Sequence, residues 1–221
     1  MTSTGFPTAA TAFFAGLEDD NSRAYFTRER EVFERAVQAP MADLLAALPP
    51  AYGPFHVFRI HRDVRFSADK SPYKLMHGAV HEDGGAVHYL HLDADGLLAA
   101  TGAYLFSRDQ LERFRAAVDD SGSAGALRRA LNSVERTLDV GPGGAEPLTT
   151  APRGFARDHP RISLLRQKGL IASNRLGGAA LQDGEQVRAF VLATFEAGAP
   201  LNRWLATHVG VREREPESGR G

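Results

Sequence analysis

Two glycine-marked turns constrain this chain more than any other feature. Asp83-Gly84-Gly85 interrupts the run Val80–Val87, and Asp95-Gly96 interrupts Leu92–Leu97. Each lies between segments of period two, the pattern of a hairpin whose turn residues take positive φ. They predict strands over 77–82, 86–93 and 97–106. In the middle strand Val87, Tyr89, His91 and Asp93 share one face, and His88, Leu90 and Leu92 the other. Upstream, a period of two starts at Phe55 and predicts a strand over 55–66. His56, Phe58, Ile60, Val64 and Phe66 fall on its mainly apolar face, which Arg62 interrupts; Arg59, His61, Asp63 and Arg65 fall opposite. Leu170–Ser173 reads as a short extra strand. The expectation is an antiparallel meander of about four to five strands with an apolar face that helices must cover.

Helical spacing supplies that cover. Residues 7–17 place Phe13, Phe14 and Leu17 on one side, and Asn21 reads as the N-cap of a helix carrying Tyr25, Phe26, Phe33 and Val37 inward. Pro40 precedes a short helix over 41–48. Ser107–Gln110 is a capping box, and Leu127, Leu131, Val134 and Leu138 repeat at helical spacing. Asp158 reads as the cap of a short helix over 160–167, Asp183–Gln186 opens a helix over 184–197, and Pro200 opens a last one through Trp204. The 221 residues, with no long linker and no repeat, fit one α+β domain over 1–210 flanked by N-terminal and C-terminal helices. Residues 211–221 are polar and read as a disordered tail.

Bulk chemistry narrows the function classes. The net charge of -1 supplies no global basic field for nucleic acid. With no cysteine, disulfides, thiolate nucleophiles and Cys-ligated zinc are excluded. The amino terminus has no signal-peptide pattern, and no stretch approaches about 18 consecutive apolar residues, so the chain reads as soluble, not membrane-bound and cytoplasmic. Phosphate-binding, dinucleotide and hydrolase-elbow motifs are absent. His77, His81, His88 and His91 cluster in sequence, yet His88 and His91 point to opposite strand faces. His91 with Asp93 or His81 is the only pairing with metal-like chemistry, and no metal or cofactor is assigned.

The densest chemistry lies in Phe58–Lys74, where Arg59, Arg62, Arg65, Lys70 and Lys74 outnumber Asp63 and Asp69. On an extended strand alternate residues lie roughly 7 Å apart, which lets Asp63 hold Arg59 and Arg65 together. Ser67, Asp69 and Ser71-Pro72 are turn chemistry. Only three residues are lysine, against 23 arginines, and two of them, Lys70 and Lys74, are in this stretch. Ammonium and guanidinium are not interchangeable, so these lysines stand out.

Three readings follow. The first is a site for a small phosphate- or carboxylate-bearing ligand, with Arg59, Arg62, Arg65, Lys70 and Lys74 as charges and Tyr73 as aromatic wall or donor. Arg153 and Lys168 would close it from a second stretch, 151–170, in which Asp158 and His159 play supporting structural roles. Were the site catalytic, Asp63, Asp69, Lys70 and Lys74 would be the proton-moving candidates. The second reading is a structural ion-pair network in a partner-binding protein. The third, single-stranded nucleic-acid binding through Phe58, Phe66 and Tyr73, is disfavoured by the near-neutral charge.

Phe58-Arg-Ile-His-Arg-Asp-Val-Arg-Phe-Ser-Ala-Asp-Lys-Ser-Pro-Tyr-Lys74 resembles the signature of a bacterial and fungal family known as domain of unknown function 2461. Pro152–Pro160 with Leu164–Lys168 resembles its second signature, and Asn21–Phe26 an amino-terminal one. The resemblance implies a single domain and draws attention to Arg59, Arg62, Asp63, Arg65, Asp69, Lys70, Tyr73, Lys74, Arg153, Gly154, Asp158, His159 and Lys168. It implies no activity. The chain departs from the pattern at Tyr25, where tryptophan is frequent, at Leu75-Met76 after the first motif, and at Ala99–Ala103, where glycines are usual.

Overall fold

The turn chemistry produces the strands it predicts. In the computed structural model, which describes residues 4–65 and 68–212, β1 is His56–Val57, β2 His77–Asp83, β3 Ala86–Asp93, β4 Gly96–Ala103, β5 Asp139–Gly141 and β6 Leu170–Leu176. They form one antiparallel sheet in the order β1-β2-β3-β4-β6-β5. Gly96 shows why its turn demands glycine. Its φ is +123°, and a Cβ there would lie 2.3 Å from the Leu176 carbonyl oxygen. Alternation in β3 is complete, with Ala86, His88, Leu90 and Leu92 buried and Val87, Tyr89, His91 and Asp93 half-buried.

Two expectations about strands are corrected. The strand expected over 55–66 shrinks to His56–Val57, paired with β2 through His56↔Val80 and Val57↔Ala79. Beyond it the register slips: the next bridge joins His61 to Tyr73, whereas the β1 register would have set His61 opposite Leu75, so no continuous ladder forms. β5 was not anticipated, because a three-residue strand next to Gly141-Pro-Gly-Gly144 offers no alternation to detect; it pairs with β6 from Asp139↔Ser173 to Gly141↔Ile171.

The helices are α1 Thr8–Asp19, α2 Arg23–Val32, α3 Ala39–Ala47, α4 Arg108–Asp119, α5 Ser121–Val134, α6 Ile162–Leu165 and α7 Gly184–His208. Ser107 and Gln110 form the expected capping box on α4. Prolines behave differently from expectation. α2 runs through a π-helical segment, Phe33–Gln38, into α3 with Pro40 inside the run. The wider turn relieves the clash a proline ring makes with the carbonyl one turn back. α7 likewise continues through Pro200 rather than starting there. An interior proline costs about 3 kcal/mol, whereas burying Leu201, Trp204 and Leu205 beyond it contributes about 1.5–3 kcal/mol each, so packing wins.

The chain forms one α+β domain on this sheet, with two compact units that interleave in sequence. Among the described residues the first takes 4–65, 68–81, 88–100 and 174–195; the second takes 82–87, 101–173 and 196–212. The first unit's core joins Phe13, Phe14, Tyr25, Phe26 and Phe33 to Leu90, Leu92 and Leu97. The second's joins Phe106, Phe114, Leu127, Leu165, Trp204 and Leu205. There the Trp204 indole N–H donates to the Ser123 carbonyl at 2.9 Å. No helix among the described residues is long and apolar enough to cross a membrane. The expected tail falls, apart from Val211 and Arg212, outside the described residues, as do Phe66 and Ser67.

Candidate functional site

The charged stretch forms an irregular arm that folds back on itself. Phe58 N–H donates to Gly78 O (2.9 Å), Arg62 N–H to Pro72 O (2.9 Å) and Lys74 N–H to Ile60 O (2.8 Å), with one isolated antiparallel bridge between His61 and Tyr73. Of the apolar face expected for it, Ile60 alone among the described residues is buried; His56 is exposed, and Phe58 and Val64 are half-buried.

Asn21 and Tyr73 tie this arm down. Asn21 Nδ2 donates to the Tyr73 carbonyl and its Oδ1 accepts the Tyr73 N–H, both at 3.1 Å. The cap expected of Asn21 belongs instead to Ser22, whose hydroxyl accepts from Tyr25 N–H at 3.1 Å. The Tyr73 ring stacks on Phe26 with centroids 4.3 Å apart and is 5% exposed, so it lies in the core.

Most of the arm's charge is spent internally. Arg62 pairs with Asp69, whose Oδ1 also accepts Ser71 N–H at 2.9 Å. Bonds from Ser71 first, and Arg62 after them, hold the Asp69 carboxyl well below the usual range. Asp63 takes Arg65 at 2.7 Å rather than bridging Arg59 and Arg65, and that bond lowers its pKa and raises that of Arg65. Lys70 Nζ donates to Val64 O at 3.0 Å. These pairs are open to solvent, where water screens the attraction, so they shape the arm more than they stabilise it. Arg59, exposed, and Lys74, half-buried, have no ion pair among the described residues. Lys74 Nζ lies 5.1 Å above the Phe58 ring.

Beside Phe58 the half-buried face of β3 carries a hydrogen-bonded row that no local pattern announced in full. The Phe58 and Tyr89 rings have centroids 6.3 Å apart. Tyr89 Oη lies 3.0 Å from His91 Nδ1, and His91 Nε2 lies 2.9 Å from Asp93 Oδ2. Arg175 of β6 grips Asp93 with both guanidinium nitrogens, at 2.5 and 3.0 Å. A carboxylate only accepts, so Nε2 carries the proton and Nδ1 accepts from the Tyr89 hydroxyl. Burial pushes His91 down despite the pull of Asp93. Burial works against the Asp93 charge, but Arg175 and His91 outweigh it and hold Asp93 low. Period-two reasoning placed Tyr89, His91 and Asp93 on one face. Arg175 was missed because its partner lies 82 residues earlier.

The other histidines separate. His81 stacks on His88 with centroids 6.2 Å apart, and His77 sits edge-on to Phe33. Neither ring nitrogen of His77 has a hydrogen-bond partner among the described residues, although the residue is only 3% exposed. Desolvation first, and Lys74 second, push its pKa down to about 4. Among the described residues no three His, Asp or Glu side chains gather as metal ligands.

The second motif lies in the second unit. Gly154, at φ +92°, makes the tight turn after exposed Arg153. His159 Nδ1 accepts Arg161 N–H at 3.1 Å and its Nε2 meets Asp119 Oδ1 at 3.0 Å, while Arg161 donates to the Asp119 carbonyl. His159 and Arg161 thus fasten the end of α4. Asp158 is exposed and caps no helix; the residue at the N-cap of α6 is Arg161. Lys168 contributes its carbonyl to Phe106 N–H at 2.8 Å. The site assembled above is built from the first unit alone.

These features define an α+β protein on one antiparallel sheet, carrying a tethered cationic arm and a Tyr-His-Asp-Arg row. The chain belongs to the family described as conserved hypothetical protein (DUF2461), whose model matches residues 9–204. Comparison with curated proteins and with solved structures returns no match.

Proposed function

We propose that the protein binds a small phosphate- or carboxylate-bearing ligand beside Phe58, with Lys74 as the principal charge and Arg59 as a second. The carrying observation is Lys74. Lys74 is a half-buried residue whose ammonium lies over an aromatic ring and has no carboxylate among the described residues, within an arm whose other basic groups mostly have partners. A cation without a carboxylate partner leaves its charge and its N–H donors available to an anionic ligand. Arg62, Arg65, Asp63 and Asp69 then serve as the internal frame of the arm. For those four residues the network reading is favoured by the two pairs they form.

Thermal unfolding in phosphate, sulfate, small carboxylates and nucleotides tests this. A ligand at one hundred times its Kd adds about 2.7 kcal/mol, which at about 2–4 °C per kcal/mol is a readily measured rise in Tm. Lys74→Met should abolish the rise, whereas Arg62→Ala should lower Tm without removing it. No rise with any anion refutes the proposal.

A further inference from the structure

The Tyr89–His91–Asp93–Arg175 row has the parts of a proton relay, and we infer that Tyr89 is an acid–base catalytic residue acting on the ligand bound beside Phe58. The substrate class rests on the anion reading above; the proton path rests on geometry alone. Asp93 fixes which imidazole nitrogen is protonated, and Arg175 fixes Asp93 through a bidentate fork, so His91 Nδ1 is aimed at the phenol as an acceptor. A third group orienting a base that in turn serves a hydroxyl is the arrangement that activates hydroxyls in general. An Asp–Arg pair joining β3 to β6 would need no histidine. Three desolvated polar side chains stabilise a fold no better than apolar ones of their size.

The step balances without any added reagent. A substrate X–H gives its proton to Tyr89 Oη as the phenol proton moves to His91 Nδ1. The electron pair of the X–H bond stays on X. The resulting imidazolium is held by the Asp93 carboxylate, and the substrate anion is held by Lys74, whose ammonium lies over the same Phe58 ring that Tyr89 packs against. Reversal returns the proton, so Tyr89 also serves as an acid. Gly78 belongs to this arrangement: a Cβ there would lie 3.0 Å from His91 Cβ and 2.8 Å from the Leu90 carbonyl oxygen, so the strand beside His91 has no room for a side chain.

Phenol nucleophilicity reads the relay without a known substrate. Benzenesulfonyl fluoride forms an S–O bond to an activated tyrosine, the S–F bond breaks to fluoride, and the phenol proton passes to the base. Tyr104, 62% exposed, is the internal reference. Peptide mass spectrometry should find Tyr89 labelled at least about a hundredfold faster than Tyr104, the lower edge of what a positioned base supplies. His91→Gln and Asp93→Asn should each bring Tyr89 down to the Tyr104 rate, with Tyr104 itself unchanged. Equal rates in the unmodified protein overturn the relay, whatever the variants do. Inorganic phosphate should protect Tyr89; activation without protection by phosphate or by small carboxylates keeps the relay and overturns the anionic substrate class.

Discussion

The orphaned imidazole of His77 makes the pH dependence of stability calculable. An unperturbed histidine titrates near 6.5, and burial with Lys74 beside it brings His77 to about 4. The folded state therefore binds this proton less readily than the unfolded state. Its neutral-form stability is complete above the unfolded pKa, falls as pH drops from about 6.5 towards about 4, and levels off below that. The difference is worth about 3 kcal/mol. His77→Leu removes both the titration and two buried polar atoms without partners, so at neutral pH it should equal or exceed the parent, by up to about 3 kcal/mol. Urea unfolding followed by circular dichroism, at intervals between about pH 7.5 and pH 4, gives both curves. The gap in favour of His77→Leu should widen by about 3 kcal/mol over that range. His91, also depressed by burial, is present in both proteins and cancels. Parallel curves would refute the argument. So would a His77→Leu protein several kcal/mol less stable at neutral pH, which would mean that the ring nitrogens are bonded in solution.

Two further substitutions test the scaffold around the site. Asn21→Ala strands the buried-side Tyr73 N–H and carbonyl, which should cost about 2–3 kcal/mol and speed proteolysis within residues 58–74; Ser22→Ala should cost about 1 kcal/mol and leave the cleavage rate unchanged. Gly96→Ala forces a side chain into positive φ against the Leu176 carbonyl, and urea unfolding should show a loss of at least about 2 kcal/mol.

The hairpins were legible because their cause is local. Asp-Gly turns and a period of two specify β2, β3 and β4 within a few residues, and the capping boxes at Ser107 and Asp183 specify α4 and α7 in the same way. The charge pairing was not legible, since it follows from how the arm folds rather than from spacing. Strand geometry placed Asp63 between Arg59 and Arg65; an irregular arm gave it Arg65 alone and sent Arg62 to Asp69. Tyr73 was read as a wall for a ligand, and its surroundings became visible only once Asn21 and Phe26 were brought to it from 52 and 47 positions earlier in the chain. The Tyr89 row was half visible, with the member that fixes its electrostatics supplied by another strand.

Departures from local rules gather in one part of the first unit. The π-helical segment begins at Phe33, the ring against which His77 is packed. His77 is buried without a hydrogen-bond partner among the described residues, and Lys74, the second cause of its depressed pKa, is the half-buried cation over Phe58. Each feature alone carries a cost: an irregular helical turn, two buried nitrogens without hydrogen-bond partners among the described residues, and a half-buried lysine with no carboxylate there. A sequence selected for stability alone would remove them with a one-residue deletion, a leucine and a solvated arginine. Such costs tend to persist where function requires them. An anion beside Lys74 would offset the last and, through its charge, relieve part of the second, so ligand binding should raise the His77 pKa. Monitoring the His77 ring by NMR titration with and without phosphate tests that coupling, and an unchanged pKa in saturating phosphate would separate the orphaned histidine from the ligand site.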